Sequence, residues 1–244
     1  MDLSMVVPIY NEESNLLELA NRIESAMNQA EITQWEVIFV NDGSTDRSQS
    51  VLLQLQQRDS RYRVVQFQIN QGQTAAMDAG FRYARNPYVL TMDADLQNDP
   101  HDFVKLQPHM AEGVGCVCGV RLNRKDTLLK RISSRIANAI RNWLSDEQIT
   151  DTGCSLKLFR KECLDRLKLY EGLHRFLPTL CKMEGFTVIE VPVSHHARLF
   201  GTSSYGVWNR VFKSFFDLLA VRWMKRRQLK YQKIAQEVQR LKSA

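Results

Sequence analysis

The sequence contains no run of roughly 18 apolar residues, the length a bilayer core demands. No transmembrane helix is therefore predicted, and the longest late apolar stretch is broken by Arg210, Lys213, Asp217 and Arg222. No secretory leader is read at the start, because Met1-Asp2-Leu3-Ser4 passes directly into the short apolar run Met5-Val6-Val7. The five cysteines, at 116, 118, 154, 163 and 181, are odd in number and irregular in spacing. That argues against a disulfide framework and fits a reducing cytosol. Cys116 and Cys118 lie in an apolar run and read as packed strand residues. The five histidines lack zinc-ligand spacing, and His195 and His196 read as loop residues. Internal repeats and low-complexity linkers are also missing. At 244 residues and 44% hydrophobic, the chain can bury a sizeable core in one continuous domain with a C-terminal appendage.

The net charge of +6 is unevenly placed. From Arg222 to Ala244 there are eight basic residues and one acid, Glu237, giving +7, while the remainder is −1. The basic character belongs to a tail rather than to the body.

The first 120 or so residues alternate strand and helix signals. Strands are expected at about 3–7, 35–40, 63–67, 88–92 and 115–120, and helices at about 14–30, 46–58, 74–84 and 101–112. A basic helix is expected at about 127–144, further strands near 155–159 and 187–194, and a last helix from about Val207. This alternation predicts an α/β fold, a mostly parallel sheet covered on both faces. Such sheets bind ligands at the carboxyl ends of their strands. Four polar segments fall at such ends: Pro8-Ile9-Tyr10-Asn11-Glu12, Asn41-Asp42-Gly43-Ser44-Thr45-Asp46, Asn70-Gln71-Gly72-Gln73 and Asp93-Ala94-Asp95-Leu96-Gln97.

The last of these follows the apolar run Tyr88-Val89-Leu90-Thr91-Met92. Carboxylates at i and i+2 and an amide at i+4 share one side of an extended backbone. Such a cluster repels itself unless a cation sits in it, and a hard divalent ion taking oxygen ligands is the simplest candidate. Helix capping accounts for Asp99, followed by Pro100, but leaves Asp93 and Asp95 unexplained. Asn41-Asp42-Gly43-Ser44 is a turn by composition, with Asp46 a good N-cap; its functional reading is that Asp42 accepts hydrogen bonds from a nucleotide. Gly72 serves either a turn or a close ligand approach. Arg198 lies in a segment rich in glycine and hydroxyls, and reads either as a surface arginine or as the cation of a lid over a phosphate. Trp208, Phe212, Phe215, Phe216, Leu219 and Trp223 form a stripe of helical period running into the basic tail. Core packing is one reading of that stripe. Aromatic residues beside Lys and Arg are also the composition of an interfacial membrane helix, which is the reading preferred.

Val7-Pro8-Ile9-Tyr10-Asn11-Glu12, Val40-Asn41-Asp42-Gly43-Ser44-Thr45-Asp46 and Met92-Asp93-Ala94-Asp95-Leu96-Gln97 together resemble family 2 glycosyltransferases with the GT-A fold. The nearest branch is that of dolichol-phosphate mannosyltransferases and bacterial undecaprenyl-phosphate glycosyltransferases. Gly119-Val120-Arg121, Asp151-Thr152-Gly153-Cys154, His174-Arg175-Phe176-Leu177-Pro178 and residues 198–205 are similar to the same branch. The resemblance spans about residues 3–223 and divides the chain into a GT-A catalytic domain, 1–206, and an aromatic-basic membrane-associating tail, 207–244.

The resemblance implies that Pro8, Tyr10, Glu12, Asp42 and Gly72 line the nucleotide pocket. Asp93, Asp95 and Gln97 would hold Mg²⁺ or Mn²⁺ on the donor diphosphate. Arg121, Arg131 and Ser134 would bind an acceptor phosphate, and Arg198 would close on the phosphates. The expected activity is metal-dependent, inverting transfer of a sugar from a UDP- or GDP-linked donor to a polyprenyl phosphate. The protein would sit peripherally on the cytoplasmic face of a membrane. Many members of the branch carry two or more C-terminal transmembrane helices; here the aromatic-basic tail would replace them or a membrane-protein partner would recruit the protein, and pairing of the tail with its own copy, giving a homo-oligomer, is left open. A phosphate monoester is already largely anionic at neutral pH, so it needs cations rather than a base. A soluble saccharide or protein hydroxyl acceptor would instead need a carboxylate base, for which Asp151 is the candidate. Nucleic-acid binding through 222–244 would leave the four rim segments unexplained.

Arg198→Ala is expected to weaken transfer while leaving the melting temperature nearly unchanged. A large fall in melting temperature would favour a structural role for Arg198.

Overall fold

The computed structural model describes residues 1–121, 149–196 and 207–229, the side chains of 207–214 excepted. Strands β1 (Leu3–Ile9) and β2 (Trp35–Asn41) are near-continuous apolar runs because both their faces are covered. With β3 (Tyr62–Gln66), β4 (Tyr88–Thr91), β5 (Val114–Arg121), β6 (Lys157–Arg160) and β7 (Thr187–Val193) they form one seven-stranded sheet, in the order β3-β2-β1-β4-β6-β5-β7. All neighbours run parallel except at β6, which is antiparallel to both β4 and β5. The chain steps outward from β1 to β3, then returns to place β4 on the other side of β1. That reversal opens a crevice at the carboxyl ends of β1 and β4.

Alternate strand residues feed two cores. Met5, Val7, Val37 and Phe39 face α1 (Leu16–Gln29), α2 (Ser48–Arg58) and α4 (Phe103–Leu106). Val6, Ile38, Val40 and Val89 face α3 (Gln73–Tyr83), α5 (Lys161–Arg166) and α6 (Leu177–Met183). Cys116, Cys118, Cys163 and Cys181 pack into this second core as buried thiols, as expected for the first two. A third cluster joins Leu173, Phe176 and Leu180 to Leu218 and Val221 of α7 (Val207–Arg227).

The helix expected at about 101–112 is interrupted. A 3-10 turn (Pro100–Asp102) leads into the single turn of α4, and a second 3-10 turn (Gln107–His109) follows. Pro108 has no N–H to continue the helical ladder. Asp99 caps the first turn as expected, accepting from the His101 N–H at 3.0 Å. The short helices α5 and α6 were not anticipated. The expected helix at 127–144 lies outside the described residues.

At the opposite end of the sheet from the crevice, Glu36 of β2 is buried. It accepts from Ser4 Oγ (2.7 Å), Arg63 Nη1 (2.7 Å) and the Arg85 N–H (2.9 Å). Burial alone would push its carboxyl up, but the Arg85, Ser4 and Arg63 contacts outweigh it and hold it below the ordinary carboxylate range. A folded value below the unfolded one stabilises the fold fully above the unfolded value, and that stabilisation disappears as pH falls through the folded one. Glu36→Gln should cost about 1–3 kcal/mol at neutral pH. It should also flatten the acid side of the stability profile in urea unfolding; an unaltered acid limb would contradict the assignment.

Candidate functional site

Each polar loop on the crevice rim is hydrogen-bonded to the next. After β1, the Asn11 backbone adopts a positive φ of 56°, and its side-chain Oδ1 accepts from the Thr45 N–H at 2.8 Å. The Ser44 and Ser48 hydroxyls accept from the N–H groups of Asn11 and Glu12, both at 3.0 Å. Asp46 lies one residue before the α2 cap position and accepts from the N–H groups of Ser48 (2.9 Å) and Glu13 (3.1 Å). Pro8, half-exposed Tyr10 and Glu12 are thus set along one edge of the crevice.

Asp42, only 3% exposed, binds the next loop. Its Oδ1 accepts from the Gln71 N–H at 2.6 Å, and its Oδ2 from the Gly72 N–H at 2.9 Å and Asn70 Nδ2 at 3.0 Å. Burial raises this carboxyl above its usual value against the pull of the Gln71 and Gly72 N–H groups. Among the described residues, three of the roughly four lone-pair directions of this carboxylate are taken. Gly43 permits the close approach of these loops: its φ is +66°, and a Cβ there would fall 2.5 Å from the Asn70 nitrogen.

Asp93 and Asp95 follow β4 with only Met92 between the strand and the first of them. Gln73 Nε2 donates to Asp93 Oδ1 at 2.8 Å, and the Asp93 N–H donates to Ser155 Oγ at 3.0 Å. Asp95, 6% exposed, accepts the Gln97 N–H at 3.2 Å across a turn in which Leu96 has φ +59°. Burial first, and then the charge of Asp95, push the Asp93 carboxyl up; Ser155, Lys157 and Arg121 oppose them. The Gln97 carbonyl accepts the His196 N–H at 2.9 Å, which brings the end of the β7 segment to this motif. Among the described residues no three His, Cys, Asp or Glu side chains gather as a metal cage. Two carboxylates and the Gln97 amide remain as candidate ligands, a set that suits a hard cation sharing its shell with phosphate oxygens.

Arg121, at the end of β5, is held by Asp151. Its Nε and Nη2 donate to the two carboxylate oxygens at 2.7 and 2.8 Å, with both side chains nearly buried. Asp151 also accepts the Gly153 N–H at 3.0 Å. A carboxylate committed in this way is a poor general base, which weighs against the hydroxyl-acceptor alternative. Arg131, Ser134 and Arg198 lie outside the described residues.

Gln73 belongs to a rim segment already read from the sequence, but two other neighbours of Asp93, Ser155 and Lys157, escaped that reading. Lys157 is 3% exposed and donates to the Cys154 carbonyl. The available signal is a lysine inside the apolar stretch Leu156-Lys157-Leu158-Phe159.

The model of glycosyl transferase family 2 matches residues 4–168. The chain belongs to this family. It is 38% identical over 231 residues to the dodecaprenyl-phosphate galacturonate synthase of Rhizobium johnstonii, covering 93% of this chain and 68% of that protein. It is 33% identical over 218 residues to the undecaprenyl-phosphate 4-deoxy-4-formamido-L-arabinose transferase of Salmonella choleraesuis, covering 89% and 66%. The chain thus spans about two thirds of the length of these relatives. Among solved structures, glucosyl-3-phosphoglycerate synthase from Mycobacterium tuberculosis, crystallised with Mn²⁺, UDP-glucose and phosphoglyceric acid, superposes with a TM-score of 0.69 at 16% identity, covering 92% of this chain and 79% of that one. The fold is therefore GT-A, and this family 2 chain is a glycosyltransferase.

Asp151→Asn should destabilise this glycosyltransferase by about 3 kcal/mol in urea unfolding, because the Arg121 charge is left uncompensated. Any residual transfer should keep its pH profile. Unchanged stability with abolished turnover would instead mark Asp151 as a base.

Proposed function

We propose that the chain transfers a sugar from a nucleotide-diphosphate donor to a polyprenyl phosphate at a membrane surface. The observation that carries this reading is a braced acidic pair on the rim of a fold whose α7 presents an exposed aromatic face. Leu218 and Val221 of α7 are buried against the body, whereas Phe215, Phe216 and Trp223 are 46%, 66% and 64% exposed on the other side. The helix ends in Lys225, Arg226 and Arg227. Each basic residue near an anionic bilayer contributes about 1 kcal/mol. Each large apolar side chain it buries contributes about 1.5–3 kcal/mol. No helix among the described residues is long and apolar enough to cross a membrane. The two relatives named above carry polyprenyl-phosphate acceptors in their names, which supports the same acceptor class here.

On this reading Pro8, Tyr10, Glu12, Asp42 and Gly72 line the nucleotide pocket. Asp93, Asp95 and Gln97 hold Mg²⁺ or Mn²⁺; once bound, the cation offsets the charge of the departing nucleoside diphosphate. Arg121, with Arg131 and Ser134, receives the acceptor phosphate, and Arg198 covers the phosphates. The acceptor is anionic already, so attack proceeds in line, with inversion, without a dedicated base. The protein acts as a peripheral component of the cytoplasmic face.

The test is a screen of radiolabelled UDP- and GDP-sugars with a short-chain polyprenyl phosphate. Transfer should occur with Mn²⁺ or Mg²⁺ and stop on chelation. Asp95→Ala should abolish metal-dependent donor binding in calorimetry while circular dichroism remains native. Transfer to a free saccharide but not to the lipid phosphate would overturn the acceptor, and unchanged donor affinity in Asp95→Ala would overturn the metal assignment.

A further inference from the structure

Three consecutive residues at the start of α3 bind three separate parts of the molecule. The Gly72 N–H donates to Asp42 Oδ2 at 2.9 Å. Gln73 Nε2 donates to Asp93 Oδ1 at 2.8 Å. Thr74, 6% exposed, accepts the Gly172 N–H on Oγ1 at 3.0 Å, and the same oxygen lies 2.7 Å from His174 Nδ1. With one proton and two lone pairs, the Thr74 hydroxyl holds the Gly172 N–H and the His174 ring nitrogen at once.

The far side of this contact is α7. Gly172 has φ +86°, and a Cβ there would fall 2.4 Å from Asp217 Oδ2 of α7. Directly after it, Leu173 and Phe176 pack with Leu218 and Val221 of the same helix. Asp217, Leu218 and Val221 lie on one side of α7; Phe216, Leu219 and Trp223 lie on the other and are exposed. A short path of direct contacts therefore runs from the Asp93 carboxylate through Gln73, Thr74 and Gly172 to the helix with the exposed aromatic face.

We propose that Gln73 and Thr74 are positioning residues that couple α7 to the donor site, so that seating α7 on an anionic bilayer tightens binding of the nucleoside diphosphate with its cation. The proposal rests on the reading of α7 as the membrane-facing helix. Fixing α7 restrains the Gly172 turn and the Thr74 hydroxyl it holds. That restrains the first turn of α3, from which Gln73 fixes the rotamer of Asp93 and Gly72 braces Asp42. Because coupling between two binding events is reciprocal, the nucleotide must tighten membrane binding by the same factor.

The experiment titrates UDP or GDP, whichever binds, with Mn²⁺ into the full chain, with and without phosphatidylglycerol–phosphatidylethanolamine vesicles. Vesicle affinity is measured by flotation at zero and saturating nucleotide. The wild type and Thr74→Ser, which keeps the hydroxyl, should each show a mutual enhancement of about fivefold. Thr74→Val should bind nucleotide and vesicles independently. Phe216→Ser/Trp223→Ser should lose vesicle binding and keep its vesicle-free nucleotide affinity. Wild-type protein that binds both without mutual effect overturns the coupling and leaves the membrane reading standing. Wild-type protein that binds no vesicles overturns both. Thr74→Val protein that keeps the full mutual enhancement overturns the route through Thr74, and the wild-type comparison decides the coupling itself even where that variant fails to fold.

Discussion

The rest of the structure answers one electrostatic constraint: Asp93 and Asp95 sit side by side, largely buried, at the end of a central strand. Two carboxylates in that position raise each other's cost of ionisation unless dipoles and cations converge on them. Gln73 and Ser155 supply the dipoles from α3 and from the segment before β6. Lys157 and Arg121 supply positive charge from β6 and β5. This explains why β6 enters the sheet antiparallel between β4 and β5: that placement puts the start of the strand, rather than its end, behind the acidic pair.

Much of this was legible in the sequence. The seven strands were readable because residues such as Val37 to Val40 are apolar on both faces, a pattern that only a covered, mostly parallel sheet demands. The rim motifs were readable because they combine turn chemistry with carboxylates where strands end. Interactions across long sequence separations were not readable. Thr74 contacts residues 98 and 100 positions away, and Ser155 meets Asp93 across 62. No local pattern marks such partners. The helices α5 and α6, six and seven residues long, are too short for a periodic signal to develop.

The last helix shows where periodicity stops short. The aromatic series ending in Phe215, Phe216, Leu219 and Trp223 and the series Leu218, Val221 and Met224 both recur at helical spacing, on opposite faces. Period alone does not say which face turns inward. The structure packs the aliphatic series against Leu173, Phe176 and Leu180 and leaves the aromatic residues from Phe215 onward outside. Trp208 and Phe212 lie outside the described side chains. An expected division at 206/207 thus meets a helix whose inner face is continuous with the body. Residues 230–244 of the expected tail lie outside the described residues.

The Arg121–Asp151 pair joins the acceptor question to the charge question. A guanidinium carries five N–H donors. Asp151 takes one N–H each from Nε and Nη2, so among the described residues both N–H groups of Nη1 and one of Nη2 are left over. The pair is neutral as a unit, yet it still presents directed donors, held rigidly by a bidentate partner. A hydroxyl acceptor would gain little from such a group, since it needs a proton taken away. A phosphate gains a fixed hydrogen-bonding edge, while its net charge calls for further cations. Those cations are present in the sequence as Lys130, Arg131, Arg135 and Arg198. On the proposed reading, Arg121 therefore orients the acceptor and the basic segments that follow β5 and β7 neutralise it. That division of labour lets one site hold two anionic substrates without placing a free arginine beside the acidic pair, where it would compete with the metal.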